Sequence, residues 1–254
     1  MKMKILALGV MMGALTTSVA YAESIRIATE GAYPPFNYID ESGELKGFDV
    51  DIAKALCEEM SVECQLTAQA WDGIIPGLVT GRYDAIVASM SITEKRKEAV
   101  NFTKPYYQVG AALVAPVGSD IEFDEEKLDG KSIGVQRATT YANLLDGEYP
   151  MASVKSYDTV ENHNLDLQSG RLDAVVGQAV LMQEWINEHG EGEYEIKGDP
   201  ILSVEYIGEG AGIAVRKGNP ELLERFDSAL TAILENGVYD AISEAYFPFS
   251  IRPE

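Results

Sequence analysis

The stretch ASMSITEKRKEAV, Ala88 to Val100, crowds Ser89, Ser91, Thr93 and Arg96 into the approach to a helix. Ser91 followed by Glu94 has the spacing of a capping box, which predicts a helix start there. A cation as early as Arg96 opposes the helix dipole, which favours anions at that end. One resolution is an external anion gripped by free N–H groups, hydroxyls and the guanidinium. The other is an ordinary cap with a solvated arginine.

The elements that would position such a site come in matched pairs. TGRYDAIVAS (80–89) and SGRLDAVVGQ (169–178) each read as a helix end, a glycine turn and a short buried strand. IRIATEGAY (25–33) and SIGVQRATTY (132–141) each read as a strand running into a small-residue loop before a helix, expected at Asp49–Met60 and at about Thr140–Leu145. One α/β unit used twice predicts two lobes with parallel sheets, whose ligands bind beyond the carboxyl ends of the strands. That rule names four loops: Thr29–Tyr33, Ala88–Arg96, Gln136–Tyr141 and Gly177–Gln178. The Ala88–Arg96 stretch is one of them, which favours the anion site over the plain cap. A strand-like run from Tyr106 to Pro116 marks the lobe junction, and Ser203 to Val215 a return crossing. Gly208, Gly210 and Gly212 lack the strand-to-helix context of a phosphate loop and read as a hinge strand.

Composition narrows the partners. Residues 1–22 carry Lys2 and Lys4, an apolar run and small residues at Ala20 and Ala22, the pattern of a cleaved secretory signal. No later run is apolar for long enough to span a bilayer, so a soluble extracytoplasmic chain from Glu23 is expected. Removing the two lysines takes the formal charge from −21 to −23, which disfavours nucleic acid. Cys57 and Cys64 are the only cysteines. In an oxidising compartment such a pair reads as a disulfide ahead of a metal or redox site, contributing about 2.5 kcal/mol for so short a loop. The spacing fits no zinc pattern, and neither His163 nor His189 has a companion ligand. No metal and no cofactor is expected.

GELKGFDVDIAKALC, YDAIVASMSITEKR and IGVQRATT together resemble the periplasmic solute-binding proteins of the polar amino acid class, which includes lysine/arginine/ornithine- and histidine-binding proteins. The resemblance covers essentially the whole mature chain, and the cysteine pair matches the disulfide of that subgroup. It implies an α/β fold of two lobes, each a mostly parallel sheet flanked by helices and joined by two hinge strands. On that pattern residues 23–110 with 206–254 form one lobe and 111–205 the other. It further implies a monomer that captures a basic amino acid and delivers it to the permease of an ABC importer.

Carried over residue by residue, Arg96 would grip the ligand's α-carboxylate, assisted by Ser91 and by the loop amide at Thr140 beside Thr139. The carbonyl of Ser89 or Ala88 would take the α-ammonium. Tyr33 and Trp71 would sandwich the stem, and Glu30 would meet the distal cation. Two departures fall at the ammonium end: Gln178 stands where the family has a carboxylate, and Ala88 where serine is usual. They raise the alternative of an N-substituted ligand such as an opine, or one lacking the α-amine. A dehydratase-like enzyme on the same scaffold is the remaining rival, but Glu30 is a lone cleft acid and the sequence holds no GxSxG elbow, spare cysteine or metal cluster. A membrane receptor's sensing domain is not expected, because no spanning segment follows. Binding without chemistry is therefore the expectation.

Overall fold

The computed structural model describes residues 23–190 and 192–253; the expected signal segment lies outside them. Two five-stranded sheets organise the chain. The first runs in the order Glu63–Ala68, Ser24–Thr29, Ala85–Ile86, Ala211–Arg216, Val100–Tyr107. The second runs Ser153–Tyr157, Ser132–Gln136, Ala174–Gln178, Ala111–Pro116, Tyr194–Ile196. In each, the first three strands are parallel and the last two join antiparallel. Four of the five strands in each sheet thus run in one direction, the mostly parallel arrangement expected, and the exception is the crossing strand, which enters each lobe from the other and runs against its neighbours.

The doubling extends to single hydrogen bonds. In the first repeat the Asp84 carboxylate accepts from the Arg26 amide at 3.1 Å, and the Asp84 amide donates to the Arg26 carbonyl. In the second, Asp173 accepts from the Ser132 amide at 2.7 Å and donates back to the Ser132 carbonyl. The shared Gly-Arg-x-Asp therefore locks the turn of each repeat to the start of the neighbouring strand.

Helix Phe48–Glu59 packs on the first sheet and starts after Gly47, one residue earlier than expected. A side chain at Gly47 would put Cβ 2.4 Å from the Phe36 carbonyl, so only glycine fits that start. Cys57 and Cys64 are bonded, tying the last turn of this helix to strand Glu63–Ala68. Phe36, Phe48, Tyr106 and Phe247 are buried around Tyr107, with the Phe36 and Tyr107 rings stacked at 5.1 Å. That cluster holds Tyr106 and Tyr107 rigidly beneath the cleft.

The run Tyr106–Pro116 is two strands separated by residues 108–110, the first crossing. The return crossing is likewise not a continuous strand: residues 204–207 form a turn, irregular chain follows to 210, and regular pairing begins at Ala211. Gly208 and Gly210 have φ of 90° and 123°, and a Cβ at Gly208 would lie 2.3 Å from the Ile92 carbonyl. These glycines let the return crossing press against the loop that carries Ser91. Among the described residues, no helix is long and apolar enough to cross a membrane.

Candidate functional site

Three of the four loops named by the doubling, those at 29–33, 88–96 and 136–141, meet where the two sheets face each other, joined there by Trp71. Glu30, Tyr33, Trp71, Ala88, Ser89, Ser91, Arg96, Thr139 and Thr140 line one cavity, with Gln136 and Tyr141 completing it.

The helix after Ser91 is shorter than the capping box suggested. Thr93, not Ser91, is its cap: the Thr93 hydroxyl accepts from the Arg96 amide at 3.3 Å, and the helix is only Glu94–Lys97. Arg96 consequently lies in the last turn of a one-turn helix, where a cation opposes no dipole. Its guanidinium donates to the Ser91 carbonyl at 2.9 Å and, across the cleft, to the Ala138 carbonyl at 3.2 Å. Burial draws its pKa down to about 10, so it remains charged at neutral pH. Both protein partners are neutral carbonyls, which leaves the charge itself uncompensated and suited to a carboxylate.

Trp71 opens helix Trp71–Val79, and its indole N–H also donates to the Ala138 carbonyl, at 3.2 Å. The Arg96 guanidinium sits over the Trp71 ring at 5.2 Å. One face of the aromatic ring expected beside the ligand's stem is thus covered by the protein's own arginine. Ala138 adopts a left-handed backbone, φ 58°, and so aims one carbonyl at both donors.

Glu30 is buried, 7% exposed, and accepts from the Gln136 amide of the opposite lobe at 2.6 Å. Burial pushes its carboxyl up to about 7, against the pull of that hydrogen bond, with Asp49 and Asp72 adding like charge. Gln136 and Tyr141 lay within a loop singled out by sequence, but nothing in their type marked them as site residues. Thr139 caps helix Thr140–Glu148, accepting from the Ala142 amide and donating to the Gln136 carbonyl. Its hydroxyl is spent on the loop, whereas the Thr140 hydroxyl lies 3.4 Å from that of Ser91 across the cleft. At the exposed rim, Arg137 bridges Asp72 of the first lobe, at 2.8 Å, and Asp158 of the second.

Gln178 stands apart from this cavity. It lines a second space toward the hinge, which shares Ser89, Ser91 and Tyr141 with the first. The Gln178 amide donates to the Tyr107 hydroxyl at 2.7 Å, and its buried carbonyl oxygen has no partner among the described residues. Glu30 is the one acid among the residues lining these two spaces, as expected, but a second carboxylate lies just behind them. Asp49, wholly buried in the first turn of helix Phe48–Glu59, lies directly behind Ser89 and accepts from its hydroxyl at 2.8 Å.

A pair of doubled α/β lobes closing on a small charged cavity defines a receptor that clamps a solute between them. The chain belongs to the bacterial extracellular solute-binding proteins, family 3, whose model matches residues 25–249. It is 41% identical over 258 residues to the L-arginine-binding protein of Pseudomonas aeruginosa, covering 98% of each chain. It is 37% identical over 246 residues to the ABC transporter arginine-binding protein 1 of Escherichia coli, covering 97% of this chain and all of that one. Among solved structures, a Salmonella typhimurium periplasmic binding protein described for its high arginine specificity superposes with a TM-score of 0.83 at 32% identity. That match covers 89% of this chain and 100% of the other.

Proposed function

We propose that this chain is the extracytoplasmic solute-binding protein of an ABC importer and that it closes on a basic amino acid of the arginine class. The observation that carries the reading is the pairing, on one interlobe cavity, of an arginine with no charged partner among the described residues and a buried carboxylate. Arg96, with Thr140 and Ser91, receives the α-carboxylate, and Glu30, oriented by Gln136, receives the distal cation. Tyr33, Trp71 and Tyr141 form the walls beside the stem, while Ala88, Ser89 and Gln178 surround the α-nitrogen. The lobes divide as 23–110 with 206–254 and 111–205, in step with sheet membership. The protein works in the periplasm as a monomer, hands its cargo unchanged to the permease, and performs no chemistry on it. The relatives' arginine binding supports this choice of ligand class over an N-substituted conjugate.

A thermal-shift screen of the mature chain against basic, neutral and acidic amino acids and opines tests the reading, since a ligand that binds only the folded state raises the melting temperature. Arginine, lysine or ornithine should give the largest shift. Glutamate or aspartate as the strongest stabiliser would overturn it.

A further inference from the structure

Resting on the reading of the cleft as an amino-acid receptor, a second question concerns the charge opposite the α-ammonium. Arg96 and Glu30 fix the two ends of a basic amino acid, so the α-nitrogen must turn toward the wall between the two cavities. Ser89, Ser91 and Tyr141 form that wall, Ser89 on the side backed by helix Phe48–Glu59, and beyond it lies Gln178. Gln178 offers a carbonyl oxygen without a partner among the described residues, but no charge. A primary ammonium enclosed there needs a compensating anion, because a buried unpaired charge is costly.

Asp49 meets that need from behind the wall. It is 0% exposed, and every partner it has is neutral: the Asn37 amide at 2.8 Å, the Tyr106 hydroxyl at 2.6 Å and the Ser89 hydroxyl at 2.8 Å. The Ser89 amide in turn donates to the Tyr106 oxygen at 3.1 Å, so the same carboxylate grips the loop twice. Ser89 is held at φ 53°, a left-handed conformation uncommon for serine. A hydroxyl that gives its proton to Asp49 keeps its lone pairs for a donor on the other side, which is where the cleft lies.

We infer that Asp49 is a positioning residue for the ligand's α-ammonium, supplying through Ser89 the negative charge that Gln178 lacks. The charge balance agrees. Glu30 and Asp49 against Arg96 leave the closed cleft with one negative charge, the complement of a basic amino acid with two cationic ends and one carboxylate. Without Asp49 the cleft is neutral and the ligand's extra charge stays uncompensated. Burial also pushes the Asp49 carboxyl up to about 6, the behaviour of an anion that lacks a cation. Glu30, Tyr106, Tyr107 and Tyr239 are the other titratable groups whose fields reach it.

The test compares two ligands, arginine and 5-guanidinopentanoate, which is arginine without its α-amino group. Calorimetry on wild type and Asp49→Asn should show arginine weakened roughly 30-fold or more, the scale of a lost buried charge partner. The deaminated analogue should change no more than about threefold, the range of a lost neutral contact. Adding Gln178→Asp to Asp49→Asn should restore arginine by returning the charge to the nitrogen's other neighbour. Ser89→Ala should show the same asymmetry, and it carries the comparison if melting curves show Asp49→Asn to be unfolded. Equal losses for both ligands would reduce Asp49 to a structural brace and overturn the inference while leaving the receptor reading intact. A wild type that binds neither ligand would overturn both.

Discussion

Titration of Glu30 should control how tightly the cleft holds a cation. Its carboxyl is buried and pushed up to about 7, chiefly by loss of water. Only the ionised form pairs with a guanidinium or ammonium. The ionised fraction falls from roughly nine tenths at pH 8 to roughly one tenth at pH 6, so arginine affinity should fall about tenfold, or about 1.4 kcal/mol. Asp49, pushed up to about 6, should add about a further twofold over the same interval. Binding below pH ~7 must therefore release protons. The stability of the free protein runs the opposite way. A carboxyl raised from 4.5 to about 7 on folding favours the fold at low pH, and that contribution fades as pH rises from 4.5 through 7. For Glu30 the full swing is up to about 3 kcal/mol. Calorimetry across pH ~6 to ~8 in buffers of different ionisation enthalpy reads both affinity and proton count. In Glu30→Gln the combined dependence of about twentyfold should collapse to about twofold. Constant affinity in wild type, or proton uptake on binding, would refute the reasoning.

Arg96→Ala should cost α-carboxylate ligands about 2–5 kcal/mol in calorimetry, because it leaves a desolvated anion unpartnered. The melting temperature should change little, since the Arg96 guanidinium holds two carbonyls and the Trp71 face at the cleft, outside either core. Arg96→Lys should also weaken binding, because an ammonium cannot reproduce the two-pronged contact; undiminished affinity in either variant would remove Arg96 from the site. Replacing both Cys57 and Cys64 with serine should lower unfolding free energy by about 2.5 kcal/mol in denaturant titrations while leaving affinity unchanged. A loss of binding at full stability would give the disulfide a role at the site that its place at the far end of helix Phe48–Glu59 does not support.

Features fixed by local pattern were legible in the sequence. The two Gly-Arg-x-Asp turns announced the repeat, and Gly81 and Gly170 do take left-handed φ of 78° and 71° before the buried strands. The repeat then placed the loops around the cleft, and the cysteine pairing followed from compartment and count. Contacts created only by closure were not legible. Ala138 contributes a carbonyl and Gln136 an amide, groups whose importance comes from the opposite lobe. Asp49 looked like an ordinary first-turn acid of an amphipathic helix, because nothing in GFDVD shows that its side chain turns inward to Ser89. The cap was assigned to Ser91 instead of Thr93 because both have the right chemistry, and the short helix was settled by the pairing of Ser91 with Ala211.

Calorimetric titration of the mature chain with arginine, glutamine and glutamate bears most directly on the claim that this cleft clamps a basic amino acid. One-to-one binding is predicted, with arginine at least about tenfold tighter than glutamine, the worth of about 1.4 kcal/mol from pairing with Glu30. Glutamate should give no saturable heat, because its side-chain carboxylate would face Glu30. Glutamate binding as tightly as arginine, or an absence of saturable heat with arginine, lysine and ornithine alike, would contradict it.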